Sequence, residues 1–289
     1  LKPLRIGCVK YLNARPLIRG WPDELEFDHP SALCERLANG DLDIALVSSF
    51  EFLRNPIYRI IDDVSISSDG PVYSVVVAHR DEISKIDEIE LDPASETAVN
   101  LLRCLLAELG LNPHLKQGST GILSVGGTDS SCGEPVGPAG ASPAVVKPGS
   151  AGRAQLLIGD QAIRFRQKHA DEFQFWDLGE QWNKLIGLPF VYALWLIRPE
   201  VVAPKQIADR LRDLRDENLV HLNELIADAV GRVTDTGDIE ITPEFLNCYY
   251  HEHLRFSFGK KEKEGLRAFA QLCAKRGLLP EGGITFDLV

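Results

Sequence analysis

The sequence predicts an α/β protein of two lobes with a ligand cleft between them. Three observations carry that prediction. Strand and helix signals alternate through the first third of the 289-residue chain, the mark of a parallel sheet covered by helices. A second group of such units follows. Two apolar strand signals, near Val72 and near Phe190, are placed to carry the chain into the second lobe and back, and two crossings make a hinge.

In order, Leu4-Arg5-Ile6-Gly7-Cys8-Val9 reads as a strand and Tyr11 to Arg19 as a short helix. Glu26-Phe27-Asp28 is a brief second strand. Pro30 and Ser31 open a helix through Leu37, and Gly40 stops it. Asp43 to Val47 is a third strand, and Ser48 and Ser49 cap a helix carrying Phe52 and Leu53. Strands are expected at Tyr58 to Ile61, Pro71 to Ala78 and Ile89 to Leu91. Ser95 opens a helix with apolar positions Val99, Leu102, Leu105, Leu106 and Leu109, closed by Gly110. Leu156-Leu157-Ile158 is a buried strand whose end, Gly159-Asp160, turns into a helix. Phe173 to Trp176 and Phe190 to Ile197 are strands, and the chain from Ile207 onward reads as helices. The stretch 116–153 is rich in Gly, Ser and Pro and has no sustained period, so a surface loop is expected there. The crossings divide the chain into a discontinuous first lobe, 1–76 with 190–289, and a second lobe, 77–189. No internal sequence repeat is visible.

Composition narrows the function. Hydrophobic residues make up 44% and charged residues 25%, a globular profile. A formal net charge of −11 argues against nucleic acid and against an anionic membrane surface, both of which select clustered Lys and Arg. It leaves room for a small anionic ligand held by local N–H groups. No apolar stretch has membrane-spanning length, and the first residues lack the apolar region of a signal peptide. The six scattered cysteines form no C-x-x-C pair and suit reduced thiols. A cytoplasmic location is therefore expected; the oligomeric state is left open.

Ligands of α/β sheets gather at the carboxyl ends of strands. That rule selects Lys10 to Asn13, Ser48-Ser49, Asp69-Gly70, Ser95 to Thr97 and Gly159-Asp160. Each reading has a structural rival. Ser95, Glu96 and Thr97 are either an anion site at a helix start or a plain N-cap. Ser48 and Ser49 carry the same ambiguity. Asn13 interrupts an apolar connection, which suits a ligand contact or a turn. Ser74, among valines, faces the cleft or satisfies a backbone group. His251-Glu252-His253 lacks the i, i+4 pairing of a helical metal site, so no metal is expected. No phosphate loop and no G-x-S-x-G elbow occur. Lys260 to Glu264 is a solvated helix face, and Trp182 and Trp195 read as core.

Several segments, in a shared order, resemble the chorismate dehydratases of the futalosine route to menaquinone. They are Tyr11-Leu12-Asn13-Ala14-Arg15-Pro16-Leu17, Gly40 to Val47, Asp69-Gly70-Pro71-Val72-Tyr73-Ser74-Val75 and Leu156 to Asp160. Asp177-Leu178-Gly179-Glu180-Gln181-Trp182 and Gly187-Leu188-Pro189-Phe190-Val191 complete the set. The resemblance spans nearly the whole chain except the Gly/Ser/Pro stretch. It implies a type II periplasmic-binding-protein-like fold with mixed sheets and an interlobe cleft. It implies removal of water from chorismate to give 3-[(1-carboxyvinyl)oxy]benzoate, with no cofactor. The family's loop asparagine falls on Asn13 and its crossing-strand serine on Ser74, the expected catalytic pair. Tyr11, Ser48, Ser49, Ser95, Thr97, Gly159 and Asp160 are the expected substrate contacts. Three features depart from the pattern: Glu96 beside an expected anion site, Ile186 where a small hydroxyl residue is usual, and the length of the Gly/Ser/Pro stretch. Two rivals share the fold. A non-catalytic binding protein would take a similar carboxylate ligand. The dihydroxynaphthoate synthase of the same route resembles this fold, but its first-loop motif, Ser-Pro-Cys-Pro-Asn-Asp, differs from Tyr11-Leu12-Asn13. A LysR-type effector domain would need an amino-terminal helix-turn-helix, where this chain starts with a strand.

Overall fold

The computed structural model describes residues 4–118, 152–233 and 241–289. Strand β1 (Ile6–Cys8) is fully buried and leads into a 3-10 helix (Leu12–Leu17) instead of the longer helix expected to Arg19. Pro16 lies inside that helix, where its ring and missing N–H oppose regular α-helical bonding. Strand β2 (Glu26–Phe27) and helix α1 (Pro30–Asn39) follow. Pro30 holds the first helical position, and Gly40, at φ 81°, ends α1 in the left-handed region. Strand β3 (Ile44–Ser48) and helix α2 (Ser49–Arg54) complete the first alternating run.

Strand β4 runs from Arg59 to Ser68, well past the expected end at Ile61. Its second half carries Ser65, Ser67 and Ser68, which hid it from a hydrophobicity reading. Those serines are buried, and two donate to the carbonyls of Ser257 and Arg255 on a neighbouring extended segment. Strand β5 is shorter than expected, Val75–His79 rather than 71–78. The Val72 and Tyr73 N–H groups are bound by the Asp177 carboxylate, at 3.0 and 2.8 Å, instead of a ladder. Strand β6 (Glu88–Leu91) and helix α3 (Glu96–Glu108) match expectation, with Ser95 as N-cap. Strand β7 (His114–Gln117) claims the first residues of the expected loop, and β8 (Arg153–Ile158) claims its last. Residues 119–151 lie outside the described residues.

Helix α4 (Gly159–Lys168), strand β9 (Gln174–Asp177), helix α5 (Leu178–Ile186) and strand β10 (Phe190–Ile197) bring the chain back. Helices α6 (Pro204–Val220), α7 (Leu222–Val233), α8 (Pro243–Cys248) and α9 (Lys260–Lys275) follow, with a π-helical turn at Tyr249–His253. The final residues are not helical as expected. Asp287 and Val289 bond to Ile60 and Asp62 along the edge of β4.

The strands form two sheets of the same plan. The first has the order β2-β1-β3-β10-β4 and the second β7-β6-β8-β5-β9. In each, three strands are parallel, and the last two are antiparallel to their neighbours. The chain leaves the first sheet between Ser68 and Val75 and returns between Asp177 and Phe190. The architecture is therefore α/β with two mixed sheets. Trp182 and Trp195 are fully buried, as expected of core residues. Cys8, Cys34, Cys104 and Cys273 are buried thiols.

Candidate active site

A narrow cavity lies between the sheets, offering about 70 Å³ to the centres of water-sized molecules. That is well below the roughly 300–1,000 Å³ usual for small-molecule pockets, so the cleft is closed down. Strand ends build its walls. Val9 and Tyr11 come from the end of β1, and Leu46 to Ser48 from β3. Ser74 and Val75 come from the start of β5, Ser95 from the cap of α3, and Ile158 with Gly159 from the β8–α4 turn.

Six of the expected residues line this space: Tyr11, Asn13, Ser48, Ser74, Ser95 and Gly159. Asn13 sits on the 3-10 helix, and its Oδ1 is buried with no hydrogen-bond partner in the chain. Ser74 Oγ accepts from the buried Tyr249 hydroxyl at 2.8 Å. Ser95 both lines the cavity and caps α3, accepting from Ala98 N–H at 3.3 Å. Gly159 stands at φ 60°, and a Cβ there would meet the Tyr11 ring at 3.1 Å. Glycine is thus the residue that lets α4 approach the first loop.

Three expected residues stand behind the wall. Ser49 Oγ donates to the Val191 carbonyl at 2.7 Å. Thr97 Oγ1 bonds the Ser48 hydroxyl and accepts from Phe50 N–H at 3.0 Å. Asp160 Oδ1 accepts from Leu12 N–H at 2.9 Å. Glu96 does not face the cavity; it pairs with Arg54 at 2.8 Å on the surface. Ile186 ends α5 and lies outside the lining.

Among the described residues no Lys or Arg lines the cavity. Its polar side chains are the hydroxyls of Tyr11, Ser48, Ser74, Ser95 and Tyr192 and the Asn13 amide. Burial pushes the Tyr11 and Tyr192 phenols far above their ordinary value, with Asp92 and Asp160 adding to the first and Asp177 to the second. Both therefore remain proton donors near neutrality. Among the described residues, no group of three or more His, Cys, Asp or Glu is placed to hold a metal ion. His251 and His253 turn to the carbonyls of Asn247 and Pro71.

A family model described as "menaquinone biosynthesis" matches residues 4–127 and 138–275. The chain belongs to the menaquinone biosynthesis family. It is 27% identical to a chorismate dehydratase of Thermus thermophilus, over 94% of this chain and 95% of that protein. It is 24% identical to one of Campylobacter jejuni, over 94% and 93%. Among solved structures, it resembles the Candida albicans CA3427 gene product, described as having the generic periplasmic binding protein structural fold. The TM-score is 0.59 at 14% identity, over 98% of this chain and 92% of that one.

In this member of the menaquinone biosynthesis family, sequence reasoning missed two residues that shape the cavity. Tyr192 belongs to β10, yet Val191 pairs with Ser67 and Ala193 with Ile66, so Tyr192 is an inserted residue. Such a bulge re-aims a side chain, and Tyr192 joins the lining with its hydroxyl 3.2 Å from Ser68 Oγ. Nothing in the apolar run Phe190 to Ile197 marks it. Asp177 accepts from four backbone N–H groups, those of Val72, Tyr73, Gly179 and Glu180. It fixes the crossing segment that ends at Ser74. Tyr73 there has φ 68°, and the Arg166 guanidinium covers its ring at 4.1 Å.

Proposed function

We propose that this chain is a chorismate dehydratase, eliminating water from chorismate to give 3-[(1-carboxyvinyl)oxy]benzoate. The observation that carries the reading is the family match across both sheets, joined to two near-full-length relatives of that name. The cavity supports it chemically. The elimination removes a ring proton and the neighbouring hydroxyl, and the aromaticity of the product drives it. The site's task is to orient the substrate and assist the departing hydroxide. The Asn13 amide, with an unmet acceptor and its own N–H donors, binds and polarises that hydroxyl. The hydroxyls of Ser48, Ser74 and Ser95 hold the carboxylates. Among the described residues no carboxylate or imidazole lines the cavity, and the lining phenols are held protonated. A carboxylate of the substrate itself is therefore the base we assign. The two sheets, joined by crossings at 69–74 and 178–189, fit lobes of 1–76 with 190–289 and of 77–189 that part to admit the ligand. Among the described residues no helix is long and apolar enough to cross a membrane; a cytoplasmic location suits a metabolic enzyme of this kind.

The test is to incubate the purified protein with chorismate, without added metal or cofactor, and identify products by mass spectrometry. Loss of one water, with a product matching 3-[(1-carboxyvinyl)oxy]benzoate, is expected. Unchanged chorismate beside an active control enzyme would overturn the reading in favour of a binding protein.

A further inference from the structure

Helix starts leave backbone N–H groups without intrahelical partners, and a nearby side chain normally meets one of them. The 3-10 helix Leu12–Leu17 and helix α2 both break this habit: neither Tyr11 nor Ser48 caps its own helix. Their partners come from the opposite sheet. Asp160, in the first turn after β8, accepts from Leu12 N–H at 2.9 Å. Thr97, in the first turn of α3, accepts from Phe50 N–H at 3.0 Å and also bonds Ser48. These two helix starts of the first sheet are thus capped across the cleft by helix starts of the second.

The Asp160 bond has a consequence for the site. Leu12 is held on both sides: its N–H by Asp160, its carbonyl by the Tyr250 hydroxyl at 2.9 Å. That carbonyl belongs to the peptide bond of Asn13. Gly159, next to Asp160, leaves no room for a side chain beside the Tyr11 ring, which a Cβ there would meet at 3.1 Å. The loop carrying Asn13 is therefore set by the β8–α4 turn, which reaches it from the second sheet.

We propose that Asp160 is a positioning residue, which caps the 3-10 helix across the closed cleft and so fixes Asn13 for the elimination. This differs from the substrate contact that sequence reasoning expected of it, because its carboxylate is turned to Leu12 and is absent from the cavity lining. The inference rests on the chorismate dehydratase reading for its kinetic arm alone.

Two variants test it. Asp160→Ala removes the acceptor; Asp160→Asn keeps an acceptor oxygen without the charge. With circular dichroism confirming that both fold, Asp160→Ala is expected to lower kcat about 100-fold, the usual scale for misplacing a catalytic group by about 1 Å. Its KM for chorismate should move little. Asp160→Asn should keep kcat within about tenfold, since a neutral acceptor makes a weaker bond than a charged one. Amide hydrogen exchange at Leu12 supplies a readout independent of turnover: faster in Asp160→Ala, near wild type in Asp160→Asn. Three outcomes overturn the proposal. They are wild-type kcat in Asp160→Ala, a raised KM at constant kcat, or equal damage in both variants. The second would make Asp160 a substrate contact, and the third would give its charge a direct part in the chemistry. If the wild type itself leaves chorismate unchanged, the function reading fails, and Leu12 exchange alone still decides the cap.

Discussion

Asn13 is the residue on which the chemistry turns. Its Oδ1 is buried and unpartnered. An unmet buried acceptor costs roughly 1–3 kcal/mol, a cost that a bound hydroxyl donor removes. Asn13→Ala should therefore fold as well as wild type while losing turnover by at least about 100-fold, the scale of deleting one polar group that stabilises developing charge. Product binding, followed by calorimetry, should persist through the serine hydroxyls. Near-normal turnover of Asn13→Ala would remove it from the mechanism. The sequence marked Asn13 because it breaks an apolar connection. It marked Ser48 and Ser49 equally, since adjacent hydroxyls look alike until the backbone says which faces inward. Ser48 lines the cavity, whereas Ser49 is spent on the Val191 carbonyl.

Among elements, helix α5 and the crossing it anchors show how one side chain organises two segments distant in sequence. Asp177 caps α5 through Gly179 and Glu180 and also holds Val72 and Tyr73 in the crossing. The carboxylate is buried, so removing it leaves four N–H groups to find other partners. Asp177→Ala should destabilise the protein by about 2–4 kcal/mol, a lost cap plus unmet buried donors. Chemical denaturation measures this as a lowered midpoint; a change below about 0.5 kcal/mol, the size of ordinary surface substitutions, would show that the crossing is held by other contacts. The helix was legible in part. Asp177 followed three residues later by Glu180 is an N-cap signature, but its overlap with a short apolar strand masked it. The far half of β4 gave no such signal. Its serines satisfy their hydroxyls on backbone carbonyls, a tertiary fact that hydropathy cannot carry.

For the whole molecule, the alternation of strands and helices was legible because each unit is locally amphipathic or apolar. The shared plan of the two sheets was not, because topology repeats here without sequence repeating. Closure ties the halves together at a cost that pH exposes. Burial raises the Asp160 carboxyl to about 6, against smaller lowering effects from the Leu12 N–H, Arg164 and Arg15. Tyr11, Tyr249 and Tyr250, which also face it, are pushed upward by burial and stay neutral. A carboxyl raised in the folded state favours folding in its protonated form. Its contribution to stability therefore grows as pH falls from about 6 toward the ordinary carboxylate range, and the folded state carries a partly buried charge above pH 6. Glu108 and Glu172 are held low by Lys275 with Arg276 and by His169 with Arg80, so their contributions fade only at more acid pH. Comparing wild type with Asp160→Asn isolates the one group. The variant's melting temperature should exceed that of wild type by several degrees at pH 8, and the gap should shrink or reverse at pH 5. Equal gaps at both pH values would show that Asp160 is well solvated and that the cleft does not close over it. A gap confined to high pH would mean that the fold retains a charged cap at the expense of stability, as expected where a stronger bond to Leu12 serves the placement of Asn13.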